Sequence, residues 1–339
     1  MRRFFFPEQD AAIYEEFTTR QSGLDEILEV GKSNEGVYSV RSLIQFNVES
    51  ISSSIADGTI PASASFDMKL FLARADKVKL DQVINLHPVT SSWKEGQGYF
   101  YEEPYVELDG VTWLRRETGS IWENSGSDYQ ASPTASASVT VPIADLTFDV
   151  STIVRQQISG TLDNQGMLIK FPDSDENDGS NEGRMYFFSK DTHTVFLPTI
   201  IAKWNDQVYS TGSMTASSAT DLTVYPNNLK PKYRQGEKVR VYLTSRQRSP
   251  LKTFSSTFSE WTNRALPTTV YYSVVDVQSQ EEVIPFDDFS RVSVSSGVHY
   301  FDFVVEKMYP LRWYKVKIKV VNDGIEQVFD DRYQFMVTT

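Results

Sequence analysis

The stretch Lys315-Val-Lys-Ile-Lys-Val320, followed by Asn322-Asp323-Gly324, decides the fold class of this chain. Three lysines alternate with three aliphatic residues, so an extended segment here has one charged face and one apolar face. The Asn-Asp-Gly sequence tolerates positive φ, and residues 325–337 then run back. The pattern predicts a β-hairpin with its aliphatic side chains in a core and its lysines on a solvated face.

The same alternation of β-branched and aromatic residues recurs along the chain and predicts an all-β protein. Val239–Leu243, Val270–Val277 and Tyr300–Val305 are spaced as in an immunoglobulin-like β-sandwich. One short helix is expected at Ser151–Ile158, entered from Asp149 and ended by Gly160.

A change in charge and composition predicts a boundary between two domains at about residues 205–222. Residues 1–212 carry 17 basic and 31 acidic side chains, whereas residues 213–339 carry 16 and 14. Ser210–Thr220 is rich in small and hydroxyl residues, which are typical of a linker or long loop. We therefore expect an N-terminal arm at 1–9, a first sandwich at 10–210, a linker at 211–222 and a second sandwich at 223–339.

Composition limits the classes of function. The 339 residues have a net charge of −12, which disfavours binding to nucleic acid or to acidic membranes. Neither a membrane-spanning run nor the apolar core of a signal peptide is evident, so we expect a soluble protein that is not secreted. With no Cys and three separated His residues, we expect no metal site, no cofactor and no catalytic residue. The chain is therefore not expected to be an enzyme.

The acidic run Asp173–Glu182 has two interpretations, a solvated loop and a calcium site. A calcium loop of the EF-hand type that begins at Asp173 requires Gly at position 178 and Glu at 184. This sequence has Asp178 and Arg184 there, which favours the solvated loop.

Trp93, Trp113 and Trp122 form the most prominent aromatic group in the sequence. Flat aromatic rings on a β-sandwich can stack on sugar rings and form a glycan platform. Burial in a core accounts for the same residues, since Trp buries a large apolar area. Both interpretations are kept at this point.

The N-terminal arm is a candidate assembly interface, formed by Arg2, Arg3, Phe4, Phe5, Phe6 and Pro7. Three consecutive phenylalanines cannot all face inward on one strand, so at least one lies on the outer face unless another surface covers it. A neighbouring subunit could cover it. The alternative is that the arm folds over its own domain.

Six short segments resemble, in order, the signature blocks of DNRLRE-type (disaggregatase-related) β-sandwich domains. They are Arg41–Phe46, Ser92–Gly98, Gly110–Arg115, Asp149–Val154, Asn164–Lys170 and Phe187–Ser189 with Leu197-Pro198. The resemblance covers roughly residues 10–204 and implies a jelly-roll-like, non-catalytic sandwich, sometimes a polysaccharide-binding one.

Four further segments look like uncharacterised structural proteins of large contractile-tailed phages from marine bacteria: Asp10–Glu16, Gly23–Gly31, Tyr233–Arg248 and Ile284–Asp288. The resemblance implies a virion protein, assembled in the host cytoplasm, that docks on the head, neck, tail or baseplate. Its expected partners are other virion proteins, including further copies of itself or a ring. The alternative is a carbohydrate-binding module that recognises a host-surface polysaccharide.

Overall fold

The computed structural model describes residues 1–101, 109–140, 144–218, 220–249, 263–331 and 333–339. The protein is mostly β, rich in β-sandwiches, and one of its antiparallel sheets curls into a half-barrel. The all-β prediction is thereby confirmed. The chain divides into two compact units. We call Phe4–Ala202 the first unit, and Lys203–Thr339 together with Met1–Arg3 the second unit.

The elements of the front half of the chain begin with a short strand at the N-terminus. They are β1 (Arg2–Phe5), β2 (Pro7–Tyr14), β3 (Ile27–Ser33), β4 (Tyr38–Phe46), α1 (Val48–Ala56), β5 (Ser65–Leu70), β6 (Leu72–Asp76), β7 (Val83–Pro88), β8 (Arg115–Glu117), β9 (Ser120–Ile121), β10 (Ala135–Ser138), β11 (Leu146–Asp149), α2 (Ser151–Ile158), β12 (Met167–Lys170), α3 (Asp173–Glu176), β13 (Arg184–Phe188) and β14 (Thr199–Lys203).

These strands form two main sheets and one small ribbon. The four-stranded sheet has the order β1-β14-β5-β11, and the eight-stranded sheet has the order β10-β7-β12-β4-β3-β13-β6, with β2 beside β4. Strands β8 and β9 pair with each other. Alternation places Phe66, Met68 and Leu70 of β5 in the core, with less buried residues between them.

Of the two longer helices, the sequence predicted α2 but not α1. Helix α2 has the predicted bounds, and the Asp149 carboxylate accepts the backbone N–H of Ser151 at 3.0 Å. Helix α1 was not predicted. Its cap is Asn47, whose side-chain oxygen accepts the N–H of Ser50 at 2.9 Å.

The second unit contains ten strands among its described residues. They are β15 (Leu222–Pro226), β16 (Lys232–Arg234), β17 (Lys238–Gln247), β18 (Val270–Asp276), β19 (Glu282–Ile284), β20 (Ser293–Ser295), β21 (Val298–Val304), β22 (Trp313–Asn322), β23 (Ile325–Phe329) and β24 (Gln334–Thr338). One sheet has the order β15-β17-β21-β20, and the other has β16-β24-β22-β18-β19 with β23 beside β22.

The predicted C-terminal hairpin is confirmed. Asn322 pairs with Ile325, which leaves a two-residue turn, and both turn residues have positive φ, 51° at Asp323 and 78° at Gly324. This is the turn that matches the twist of a hairpin. Val316, Ile318 and Val320 of β22 are buried, and Lys315 on the other face forms an ion pair with Asp330 at 2.7 Å. The returning segment is divided into β23 and β24.

The chain crosses from the first unit to the second at residues 202 and 203, before the predicted linker. Residues of that region pair with the second unit: Tyr209 forms a β-bridge with Val294, and Ala216 forms one with Ala265. Leu222, the last predicted linker residue, begins β15. The small and hydroxyl residues that indicated a linker still offer backbone hydrogen-bonding groups, and these groups hold the segment to the unit.

Candidate functional site

The three tryptophans proposed as a glycan platform lie inside the first unit. Their exposed fractions are 5% for Trp93, 6% for Trp113 and 3% for Trp122. They share a core cluster with six small and aliphatic residues: Ala11, Ile13, Leu43, Val89, Val111 and Leu168. Stacking on a sugar needs an exposed ring face, so the burial is against the platform interpretation and in favour of core packing.

The polar atoms of these indoles are also used inside the unit. Trp93 Nε1 donates to the carbonyl oxygen of Gln165 at 2.8 Å, and Trp122 Nε1 donates to that of Thr112 at 3.0 Å. The guanidinium of Arg41 lies over the Trp113 ring, 4.9 Å from its centroid. Buried Trp N–H groups need such partners, and here they are supplied by the backbone.

The N-terminal aromatic residues fold as β1 and the start of β2. Phe4 is buried, Phe5 and Pro7 are half-buried, and Phe6 is 37% exposed. The outward position of at least one phenylalanine agrees with the alternation of a strand. Phe6 is therefore the residue of this group that has a large part of its ring on the surface.

The two arginines at the N-terminus form ion pairs within the second unit. Arg2 is buried and pairs with Asp287, and Arg3 Nε lies 2.6 Å from a carboxylate oxygen of Glu306. Both charges of the candidate interface are therefore compensated inside the chain.

Several carboxylates of the acidic run 173–182 pair with cationic side chains from outside the run. Buried Lys170 pairs with Asp173 and, at 3.0 Å, with Glu176, while Lys79 lies 3.4 Å from Asp178. The hydrogen bond from Lys170 lowers the pKa of Asp173. Glu176 is buried and also pairs with Arg41 at 2.7 Å, and Asp173–Glu176 form helix α3, so the run is not a solvated loop along its whole length.

The three histidines have separate surroundings. His87 is buried and its Nδ1 lies 3.2 Å from Thr134 Oγ1, whereas His193 is exposed. His299 is buried, and its Nε2 accepts the N–H of Leu266 at 3.1 Å. His87 and His299 therefore belong to the packed interior, and His193 lies on the surface.

A group of carboxylates that the sequence did not reveal lies in the first unit. Carboxylate oxygens of Asp10, Glu95 and Asp191 lie within 4.8 Å of one another, a spacing that could hold a metal ion. Lys190 already supplies positive charge there, since its Nζ lies 3.2 Å from Glu95 and 2.9 Å from Asp191.

Burial dominates the electrostatics of this group. It raises the pKa of Asp10 to about 8 and raises that of Glu95 as well. Asp10 accepts the backbone N–H of Lys190 at 2.7 Å, and its own N–H donates to Glu95 at 2.7 Å. Asp10 is therefore protonated at neutral pH. With Glu95, Asp191 and the Lys190 ammonium group it forms an internal polar network that does not require a metal ion.

A second arrangement that the sequence did not reveal is a groove on the outer face of the β15-β17-β21-β20 sheet. It has a volume of about 630 Å³ and is lined by Asn227, Arg240, Tyr242, Asn263, Val298 and Tyr300, among others. Tyr242 of β17 lies directly opposite Tyr300 of β21, and Arg240 lies opposite Asp302. The groove combines the exposed ring of Tyr242 and the half-buried ring of Tyr300 with polar side chains.

Comparisons with known proteins place this chain in no family. No family model matches it, and no curated protein matches it. Among solved structures, it is similar to trypsin-activated alpha-2-macroglobulin from Escherichia coli, with 8% identity and a TM-score of 0.24 over 88% of this chain. The native conformation of the E. coli protein gives 9% identity and the same TM-score over 88% of this chain.

The chain spans only 15% and 13% of the length of those two structures. Similarity at this level carries no conclusion about the fold or the function of the chain. Among the described residues, no helix is both long and apolar enough to cross a bilayer.

Proposed function

We propose that this protein is a non-catalytic structural protein of a bacteriophage virion. Its first unit would be a jelly-roll-like sandwich and its second an immunoglobulin-like sandwich. It would dock on the head, neck, tail or baseplate through its N-terminal strand and through faces of its β units. The segments that resemble phage structural proteins and DNRLRE-type domains supply the virion part of this proposal.

The observation that carries the docking part is the position of the N-terminal strand. Strand β1 stands at one end of the order β1-β14-β5-β11, and Phe6 directly after it is 37% exposed. A strand at the end of a sheet, beside an exposed aromatic ring, is a position where another chain can add a strand and bury an anchor.

A second exposed aromatic group supports docking through a face of the first unit. Phe17 and Tyr101 are 41% and 81% exposed, and both rings contact the buried ring of Phe100, with centroids 5.4 and 4.8 Å from it. Exposed rings held in place by a buried one lose little conformational freedom when a partner covers them. A stable interface of this kind would bury about 1,200 to 2,000 Å² in total.

The virion role is tested by mass spectrometry of purified particles of the phage that encodes the chain. We expect the chain in the particles at a constant stoichiometry to the major structural proteins. Its absence from particles, with the chain present in the infected cell, would overturn the virion role.

The docking role is tested separately with Phe6→Ser and Tyr101→Ser. We expect at least one of them to lower incorporation into particles without a change in melting temperature. Val37→Ser is the matched control, because Val37 is 61% exposed and lies outside both aromatic groups. Incorporation of both variants at the control level would reject the two docking surfaces.

A further inference from the structure

The groove of the second unit has the components of a small-ligand site. Tyr242 is 40% exposed and Val298 is 39% exposed. Since Tyr242 and Tyr300 are directly opposed across two antiparallel strands, their Cβ atoms are about 4.5 to 5.5 Å apart and their rings leave the same face of the sheet. A volume of about 630 Å³ is that of a pocket for a small molecule.

Arg240 lines the groove and is held in place by its contacts with Tyr300 and Asp302. Its guanidinium lies over the Tyr300 ring, 4.4 Å from the centroid, and two of its nitrogens donate to the Asp302 carboxylate, each at 2.7 Å. The hydrogen bonds that Arg240 donates to Asp302 raise the pKa of Arg240 further above its usual value, so the guanidinium stays charged. The carboxylate balances that charge, which leaves the groove without a net charge from this pair.

The backbone next to the groove already has hydrogen-bond partners, since the Asn228 side chain accepts the N–H of Tyr242 at 2.8 Å and donates to the carbonyl oxygen of Arg240 at 2.9 Å. Strand β17 pairs with β15 on one side and with β21 on the other, and β21 pairs with β20. A peptide that bound by strand addition would need an open strand edge, which the middle of this sheet does not offer. A ligand in the groove must be recognised through ring faces and side-chain polar atoms.

We propose that this groove binds a neutral oligosaccharide. The C–H bonds on the apolar face of a pyranose ring pack on the exposed ring of Tyr242, beside the Tyr300 ring that Arg240 covers. The amide of Asn263 offers both a donor and an acceptor to sugar hydroxyl groups, and Asn227, whose Oδ1 already accepts from Thr244 Oγ1 at 2.8 Å, offers its amide N–H groups. The balanced charge of Arg240 and Asp302 favours a neutral sugar over a phosphorylated or nucleic-acid ligand. This site is independent of the virion role and lies outside the tryptophan cluster.

The proposal is tested by NMR titration of the full chain with soluble hexasaccharides of glucose, of N-acetylglucosamine and of mannose. We expect at least one of them to shift signals of the second unit, with a dissociation constant in the micromolar to millimolar range of an open site. Tyr242→Ala and, separately, Asn263→Ala should each weaken binding about tenfold or more without changing the melting temperature.

Tyr99→Ala is the matched control, since Tyr99 is 48% exposed on the first unit and should leave binding unchanged. If none of the three hexasaccharides shifts the spectrum at millimolar concentration, the proposal is overturned. Binding that survives both groove substitutions would also overturn it. Selection of peptides from a display library whose binding is lost in Tyr242→Ala, with no sugar bound, would reassign the groove to a peptide.

Discussion

At the scale of single residues, His299 couples the stability of the second unit to pH. The ring is 1% exposed, and burial lowers its pKa from 6.5 to about 4. The unfolded chain therefore binds more protons than the folded chain between these values. The stability that His299 contributes is complete above about pH 6.5 and is lost as the pH falls through about 4, by as much as ~3 kcal/mol.

This effect is measured by urea unfolding of the wild type and of His299→Gln at about pH 7 and about pH 4.5. Glutamine can still accept the N–H of Leu266 and carries no titrating group. We expect the wild type to lose more stability than the variant on acidification, and His193→Gln, at an exposed site, to behave as the wild type does. Equal losses in the wild type and His299→Gln would contradict the assignment.

Asp10 has the opposite pH dependence. Its pKa of about 8 lies above the usual 3.8, so between these values the folded chain binds more protons than the unfolded chain. Stability from this residue is complete below about pH 3.8 and is lost as the pH rises through about 8. Asp10→Asn should therefore gain stability relative to the wild type as the pH is raised from about 6 to about 9, as shown by melting temperatures across that range. Asp81→Asn, at an exposed carboxylate, should show no such trend.

The shifted pKa values of His299 and Asp10 could not be predicted from the sequence, because the groups around each residue come from distant parts of the chain. Asp10 meets Glu95 and Lys190, which come from distant parts of the chain, through the pairing of strands and loops. The tryptophans posed the same difficulty. Their residue type fits both a core and a platform, and only the packing of the sheets decides between the two.

At the scale of elements, the β22–β23 turn has a backbone requirement that can be measured by itself. Gly324 has a φ of 78°, and a Cβ placed there would meet no heavy atom within 4 Å. Gly324→Ala should therefore cost only the left-handed backbone penalty, about 1 kcal/mol in the free energy of unfolding, and Gly324→Asn should cost less. Denaturant unfolding of the three proteins measures this. A loss of several kcal/mol, or a larger loss for Asn than for Ala, would contradict this account of the turn.

Helices and strands could be predicted where a short stretch of sequence carries the pattern by itself. The hairpin follows from six alternating residues and a turn tripeptide, and α2 follows from the start and stop signals at Asp149 and Gly160. Helix α1 has the sequence Val-Glu-Ser-Ile-Ser-Ser-Ser-Ile-Ala, whose serines are poor helix formers. The features from which α1 could have been predicted are the Asn47 cap and the helical spacing of Ile51 and Ile55.

At the scale of the whole molecule, the second unit is assembled from two distant pieces of chain. Met1–Arg3 belong to it together with Lys203–Thr339, whereas Phe4 begins the first unit. The charge shift near residue 212 indicated a boundary at about residues 205–222, whereas the chain crosses between the two units at residues 202 and 203. It could not indicate that the first three residues belong with the last part, since that depends on ion pairs such as Arg3 with Glu306.

Deletion of residues 1–5 should consequently destabilise both units. The second unit would lose the partners of Asp287 and Glu306, and the first would lose the buried ring of Phe4 from the β1-β14-β5-β11 sheet. Calorimetry of the full chain and the deletion should show every unfolding transition at a lower temperature. Phe6→Ser, which removes only a partly exposed ring, should leave the transitions in place. A deletion variant that melts as the full chain does would show that β1 is dispensable for folding. Any loss of its incorporation into particles would then report on docking alone.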